Sequence, residues 1–245
     1  MNTLILQDPR ELGQAAGEQA AGLIRKAIED KGQANIILAT GASQFEMLRT
    51  LVGQPNVDWT RVVMFHLDEY IGLPATHPAS FRKYLKERFV DKVGRLKAAN
   101  FLEPDPAAPA DECARMGKII AEHTIDVALI GIGENGHLAF NDPPADFDTD
   151  DAYIVVDLDK ACRMQQVGEG WFKTLDDVPR QAISMTIKQI MRSRHIISSV
   201  PDLRKAKAVR DAIEGPITPM CPASILRNHE HCTQFLDKAS ASLLT

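Results

Sequence analysis

No stretch of this sequence approaches the apolar length of a membrane span, and Met1 to Lys26 lacks the basic segment and apolar run of a secretory leader. A cytoplasmic protein with no membrane partner is expected. Cysteine is scarce: Cys113, Cys162, Cys221 and Cys232 include no CxxC pair and fall far short of a disulfide scaffold, so reduced thiols are expected. Positive charge is not in surplus either. With 28 basic against 33 acidic residues the formal charge is -5, which argues against a dedicated nucleic-acid partner or an anionic-membrane surface. A small anionic substrate would need a local cation. No internal repeat is visible.

What is present is apolar mass. Across 245 residues 44% of the side chains are hydrophobic, enough for one large core, and residues 1–245 are read as a single domain. Four apolar runs read as buried parallel strands, at Asn35 to Ala39, Arg61 to Leu67, Asp126 to Ile132 and His195 to Val200. Helical patterns occupy Arg10 to Asp30, Ser43 to Val52, Pro78 to Val90, Asp111 to His123 and Leu203 to Ile213. Shorter strands are expected at Ala152 to Asp157 and Thr233 to Leu236, with a surface loop at Pro104 to Pro109. The alternation predicts an α/β fold, a doubly wound, mainly parallel sheet with helices on both faces. Ligands of such sheets sit beyond the carboxyl ends of the strands, and those segments hold the unusual residues.

After the first run, Thr40, Gly41, Ala42 and Ser43 form a glycine-bearing turn into a helix, which is either an anion cradle or an ordinary turn with Ser43 as its cap. After the second, Asp68 and Glu69 should point oppositely, one to the cleft and one into the loop. A partly desolvated carboxylate there suits a base for a carbon acid beside a carbonyl, although an Asp that only stabilises the loop is also common. After the third, Gly131, Gly133 and Gly136 let the backbone pass close to a ligand and lead to His137. Its ring can move protons both ways near neutrality, and Asn135 and Asp142 are near enough to orient it.

Together these segments resemble the glucosamine-6-phosphate deaminase/isomerase family, within the wider group that includes 6-phosphogluconolactonases. The likeness runs over nearly the whole chain. It is carried by FHLDEYIGLP and HPASF, by GIGENGHLAFNDP, by DDVPRQAISMTI, and by RKAKAVRDAIEGP with CPASIL. A lactonase is expected to show a DER-type motif and an SLFP-like sequence where this chain has DEY and AFND.

The resemblance implies a Rossmann-like fold and an aldose-to-ketose isomerisation that converts glucosamine 6-phosphate to fructose 6-phosphate and ammonia. Asp68 would move the proton between C2 and C1, and His137 would open the pyranose ring with help from Asn135 and Asp142. Thr40, Gly41, Ala42 and Ser43 would hold the phosphate together with Lys205. No cofactor and no metal are implied, and a homo-oligomer is possible within the family.

Some residues depart from the pattern. Asp142 stands where glutamate is usual, which shortens its reach by about 1 Å, a misplacement able to cost around a hundredfold. The run Ala145 to Ala152 carries Asp146, Asp148, Asp150 and Asp151 where serines and an arginine are expected near phosphate. These carboxylates must face solvent, or the sugar differs; galactosamine 6-phosphate is one alternative. The segment Arg163 to Trp171 is two residues longer than usual, and Gly170 stands where a further arginine is expected just before the aromatic pair; Arg163, Arg180 and Arg204 are candidate replacements for it. A noncatalytic sugar-phosphate sensor is the remaining alternative. Asp146, Asp148, Asp150 and Asp157 fail as a calcium loop because Asp151 sits where glycine is needed. Cys221, His229, His231 and Cys232 fit no common zinc spacing.

Overall fold

The computed structural model describes all residues from Met1 to Thr245. Ten strands form in chain order: β1 (Asn2–Leu6), β2 (Ala34–Leu38), β3 (Val62–His66), β4 (Asp68–Tyr70), β5 (Ala98–Asn100), β6 (Val127–Ile130), β7 (Tyr153–Asp157), β8 (Gln181–Met185), β9 (His195–Val200) and β10 (Cys232–Asp237). Seven of them build one sheet in the order β1-β10-β9-β6-β2-β3-β5, every neighbour parallel. The chain is therefore α/β with a mainly parallel sheet.

Alternation along the strands makes this sheet two-sided. Ile36 and Leu38 of β2 pack with the helices Pro9–Lys31 and Phe45–Val52, whereas Ile37 between them packs with the helix Pro109–Ala121 and the helix Ala206–Glu214. All three side chains are fully buried, and each contributes roughly 1.5–3 kcal/mol of transfer free energy. The first helix starts where Asp8 accepts from the backbone N–H groups of Arg10 and Glu11, both at 2.9 Å, with Pro9 in the first turn. Small residues then set the spacing of the two helices on this face. A β-carbon on Gly13 would lie 2.3 Å from Cβ of Glu46, so only glycine permits that approach.

The second sheet was not foreseen. β4, β8 and β7 form a separate antiparallel ladder in the order β4-β8-β7, with Asp68 opposite Ser184 and Ile154 opposite the same serine on the other side. The expected strand at Ala152 to Asp157 belongs here, and the one at Thr233 to Leu236 enters the large sheet between β1 and β9. In the large sheet the chain runs outward from β2 to β3 and β5, while β6 adds on the other flank of β2. The loops leaving β2 and β6 thus diverge, and a crevice opens between them.

Candidate active site

One cavity lies at this crevice. Thr40, Gly41, Ala42 and Ser43 line one end, Lys205 stands beside them, and Asp68 with His137 line the rest. Residues separated by up to 165 positions are thereby brought to one space.

The turn after β2 depends on Gly41, whose φ of +95° lies in the region that favours glycine. The Tyr84 hydroxyl donates to the Gly41 carbonyl at 2.9 Å and pins the turn from outside. Across the cavity Gly131 leaves just enough room, since a β-carbon there would sit 3.0 Å from Gln44 Nε2 and 3.1 Å from Ser43 Oγ. Lys205 arrives from the turn that follows β9, where Asp202 caps the backbone N–H of Arg204 at 3.0 Å. Its side chain is buried yet makes no ion pair within 4.0 Å. Burial pushes the ammonium below its usual range, opposed by the more distant carboxylates of Glu169 and Glu134. A buried cation without a paired anion, facing a polar turn, is arranged to receive one.

Asp68 and Glu69 divide their work as strand alternation requires. Glu69 turns inward and accepts from Ser80 Oγ at 2.9 Å, from the backbone N–H groups of Tyr70, Phe81 and Arg82, and from Arg82 Nε at 3.2 Å. It anchors the loop Ile71 to Ser80. Asp68 faces the cavity, and its Oδ1 is buried without a hydrogen-bond partner. Burial holds the Asp68 carboxyl well above the usual range, and the charge of Glu69 acts in the same direction. Such a carboxylate is a much stronger base than one in water.

His137 follows a tight turn off β6. Its Nδ1 lies 3.0 Å from Asp142 Oδ1, its backbone N–H donates to Asn135 Oδ1 at 3.1 Å, and Asn135 Nδ2 donates to the same Asp142 oxygen at 2.9 Å. Asp142 is held in turn by the backbone N–H of Asp159, on its Oδ2 at 3.1 Å. The shorter side chain reaches the ring because Leu138 and Asn141 close a bridge across Ala139, which takes φ of +52°. Burial pushes the Asp142 carboxyl up, but the hydrogen bonds and charge of His137, with those from Asn135 and Asp159, outweigh it and leave it below its ordinary value. His137 Nε2 makes no hydrogen bond to protein, which leaves that nitrogen for a ligand.

Several cavity residues were invisible to sequence reasoning. Gln165, Gln166 and Glu169 line it from the helix Lys160–Gly168 and its end. The extra length of Arg163 to Trp171 was the only signal of them. Asn141 is a second omission: its Nδ2 donates to Leu138 O at 2.8 Å, Met185 O at 2.8 Å and Ser184 Oγ at 3.2 Å, tying the histidine loop to β8. The acidic run stays outside. Asp150 pairs with Lys188 at 2.7 Å and Arg192 at 3.1 Å, and no residue from Asp146 to Asp151 lines the cavity. The three candidate arginines are absent from the lining as well: Arg163 Nη2 donates to Val178 O at 3.1 Å, and Arg204 pairs with Asp202 at 2.9 Å. Cys221, His229, His231 and Cys232 form no ligand cluster, and His229 Nε2 lies 2.7 Å from Ser193 O.

Comparison with known proteins shows the family. The profile of the family Glucosamine-6-phosphate isomerases/6-phosphogluconolactonase matches residues 7–235. The chain belongs to this family. Within it, the chain is 33% identical over 246 residues to the glucosamine-6-phosphate deaminase of Lactobacillus delbrueckii subsp. bulgaricus, covering 100% of both chains. It is 37% identical to that of Listeria welshimeri, covering 94% of this chain and 96% of the relative. Among solved structures, a monomeric glucosamine-6-phosphate deaminase superposes with a TM-score of 0.88 at 30% identity, covering 99% of this chain and 100% of the other. A 6-phosphogluconolactonase from Thermotoga maritima, 19% identical, shares the fold with a TM-score of 0.77 over 97% of this chain and 99% of its own.

Proposed function

We propose that the protein is an isomerising deaminase that converts glucosamine 6-phosphate to fructose 6-phosphate and ammonia. The reading rests above all on one observation: an unpartnered Asp68 oxygen, the free Nε2 of His137 and the unpaired ammonium of Lys205 face the same cavity. The names of the full-length relatives support the same substrate. The phosphate would lie on the turn Thr40 to Ser43 against Lys205, where amide dipoles and a cation converge.

With the phosphate fixed, C1 and C2 of the sugar extend towards Asp68 and His137. His137, oriented by Asp142 and Asn135, takes the proton of the anomeric hydroxyl through Nε2 and returns one to the ring oxygen, which opens the pyranose. Asp68 then removes the C2 proton, which leaves an enolamine, and delivers it to C1, which gives a ketose imine. Water adds at C2, and ammonia leaves. Its raised affinity for protons fits Asp68 for this transfer, because a carboxylate of ordinary strength is a poor base towards a carbon acid. No step requires a redox group. The acidic run that suggested another sugar lies outside the cavity, so no structural observation favours galactosamine 6-phosphate. The free thiols suit a cytoplasmic setting.

Incubation with glucosamine 6-phosphate tests this reading. Stoichiometric ammonia and fructose 6-phosphate are expected, with Asp68→Asn lowering turnover by about three orders of magnitude or more. Ammonia release at an undiminished rate in that variant would remove Asp68 from its role.

A further inference from the structure

Cys162 is fully buried, and the proposed reaction gives it no task. Its position is nevertheless closely fixed. Its backbone N–H donates to Asp159 Oδ1 at 2.5 Å, and the Asp159 backbone N–H donates to Asp142 Oδ2, so the backbone that carries the thiol is tied to the carboxylate partner of His137 through Asp159. One ligand atom from each of His137, Asp142 and Cys162 lies within 4.8 Å of the others. We propose that His137, Asp142 and Cys162 form a binding site for a soft divalent cation of the zinc class, and that its occupation stops the histidine from acting on the sugar.

The donor set is an imidazole nitrogen, a carboxylate oxygen and a sulfur, the mixture such cations select. Bonds of about 2.0–2.3 Å at tetrahedral angles need these atoms roughly 3.3–3.7 Å apart, so small side-chain shifts suffice. Of the three donors, His137 borders the cavity. A coordinated cation expels the proton of a ligating thiol.

The inhibition follows from counting protons. Binding at Nδ1 requires that nitrogen to give up its hydrogen, and a neutral ring then carries its proton on Nε2. One proton, from Cys162 Sγ, goes to solvent for each ion bound. Nε2, the nitrogen facing the sugar, becomes a donor that has no lone pair to accept a proton.

The test begins with protein freed of metal by a chelator and titrated with Zn2+ against a chromophoric competitor, with Co2+ as the spectroscopic substitute. One ion per chain is expected, with a near-ultraviolet sulfur-to-cobalt band. Cys162→Ala should abolish the band and weaken Zn2+ binding at least tenfold, as should Cys162→Ser if the alanine variant folds poorly. Cys113→Ala should change neither. Binding unaltered in both Cys162 variants, or no ion bound below millimolar Zn2+, would overturn the site. Neither readout uses a sugar, so the outcome is independent of the assigned substrate. With glucosamine 6-phosphate, Zn2+ should inhibit in step with occupancy and EDTA should restore the rate.

Discussion

Gly133 and His137 are in contact that only glycine permits: a β-carbon at residue 133 would fall 2.2 Å from His137 Nε2. The imidazole edge lies over bare backbone, where the Gly133 N–H donates to the His137 carbonyl at 3.0 Å and closes the turn. Gly133→Ala must therefore tilt the ring. A loss of roughly a hundredfold in kcat is expected, with KM nearly unchanged because the phosphate end is untouched. Steady-state kinetics separates the two constants, and a wild-type kcat would mean that ring orientation is not limiting.

Lys205 offers a trade between stability and binding. Its ammonium is buried without an ion-pair partner in the protein, so Lys205→Met replaces a poorly solvated cation with an apolar chain of similar length. KM for the phosphorylated sugar should rise ten- to hundredfold while the thermal midpoint rises by about 2–4 °C, the shift for about 1 kcal/mol in a chain of this size. A lower midpoint would show that the ammonium stabilises the fold.

Asp142 links the site to acid stability. Its carboxyl is held below the ordinary value, so it contributes stability that is present above the unfolded value and lost as pH falls through the folded one. Asp142→Asn should lower unfolding free energy at pH 7 by about 1–3 kcal/mol, with the gap from wild type closing below about pH 4. Denaturant titrations at both pH values measure this, and a gap that persists in acid would indicate a packing defect instead.

His66 acts at higher pH. It is fully buried, its Nδ1 accepts from the Leu102 N–H at 3.3 Å, and burial lowers it to about 3 from an ordinary 6.5. The unfolded chain binds the extra proton throughout that interval, so stability should fall by about 1.4 kcal/mol per pH unit below 6.5 from this group alone. His66→Gln should flatten the slope between pH 6 and 4; an unaltered slope would assign acid sensitivity elsewhere.

Asp150 supplies a negative control. It is 78% exposed and pairs with Lys188 and Arg192 away from the cavity. Asp150→Asn should leave KM within about twofold and stability within about 0.5 kcal/mol. A large fall in KM would place the acidic run near bound phosphate.

The large sheet was legible because its strands are buried on both faces and read as unbroken apolar runs, as in Ile36 to Leu38 and Val127 to Ile130. The small sheet was not. Asp68 to Tyr70 is a three-residue strand with two acidic residues, and its pairing with Gln181 to Met185 spans more than a hundred positions that no local pattern encodes. Among cavity residues, those on glycine-bearing turns after strong strands could be read directly. Gln165 and Glu169 could not, because polar residues on the helix Lys160–Gly168 look like any solvated face until the helix is seen over the cavity. The reach of Asp142 was also hidden: side-chain length suggested a shortfall, and the turn at Ala139 removes it.

Asp68 belongs to the three-stranded ladder, while the phosphate turn, Lys205 and His137 follow strands of the seven-stranded one. Anchorage and the proposed enolisation base thus have separate addresses in the fold. Substitutions along Tyr153–Asp157 or Gln181–Met185 would reach the proposed base through its own ladder, apart from the turn proposed to hold the anion.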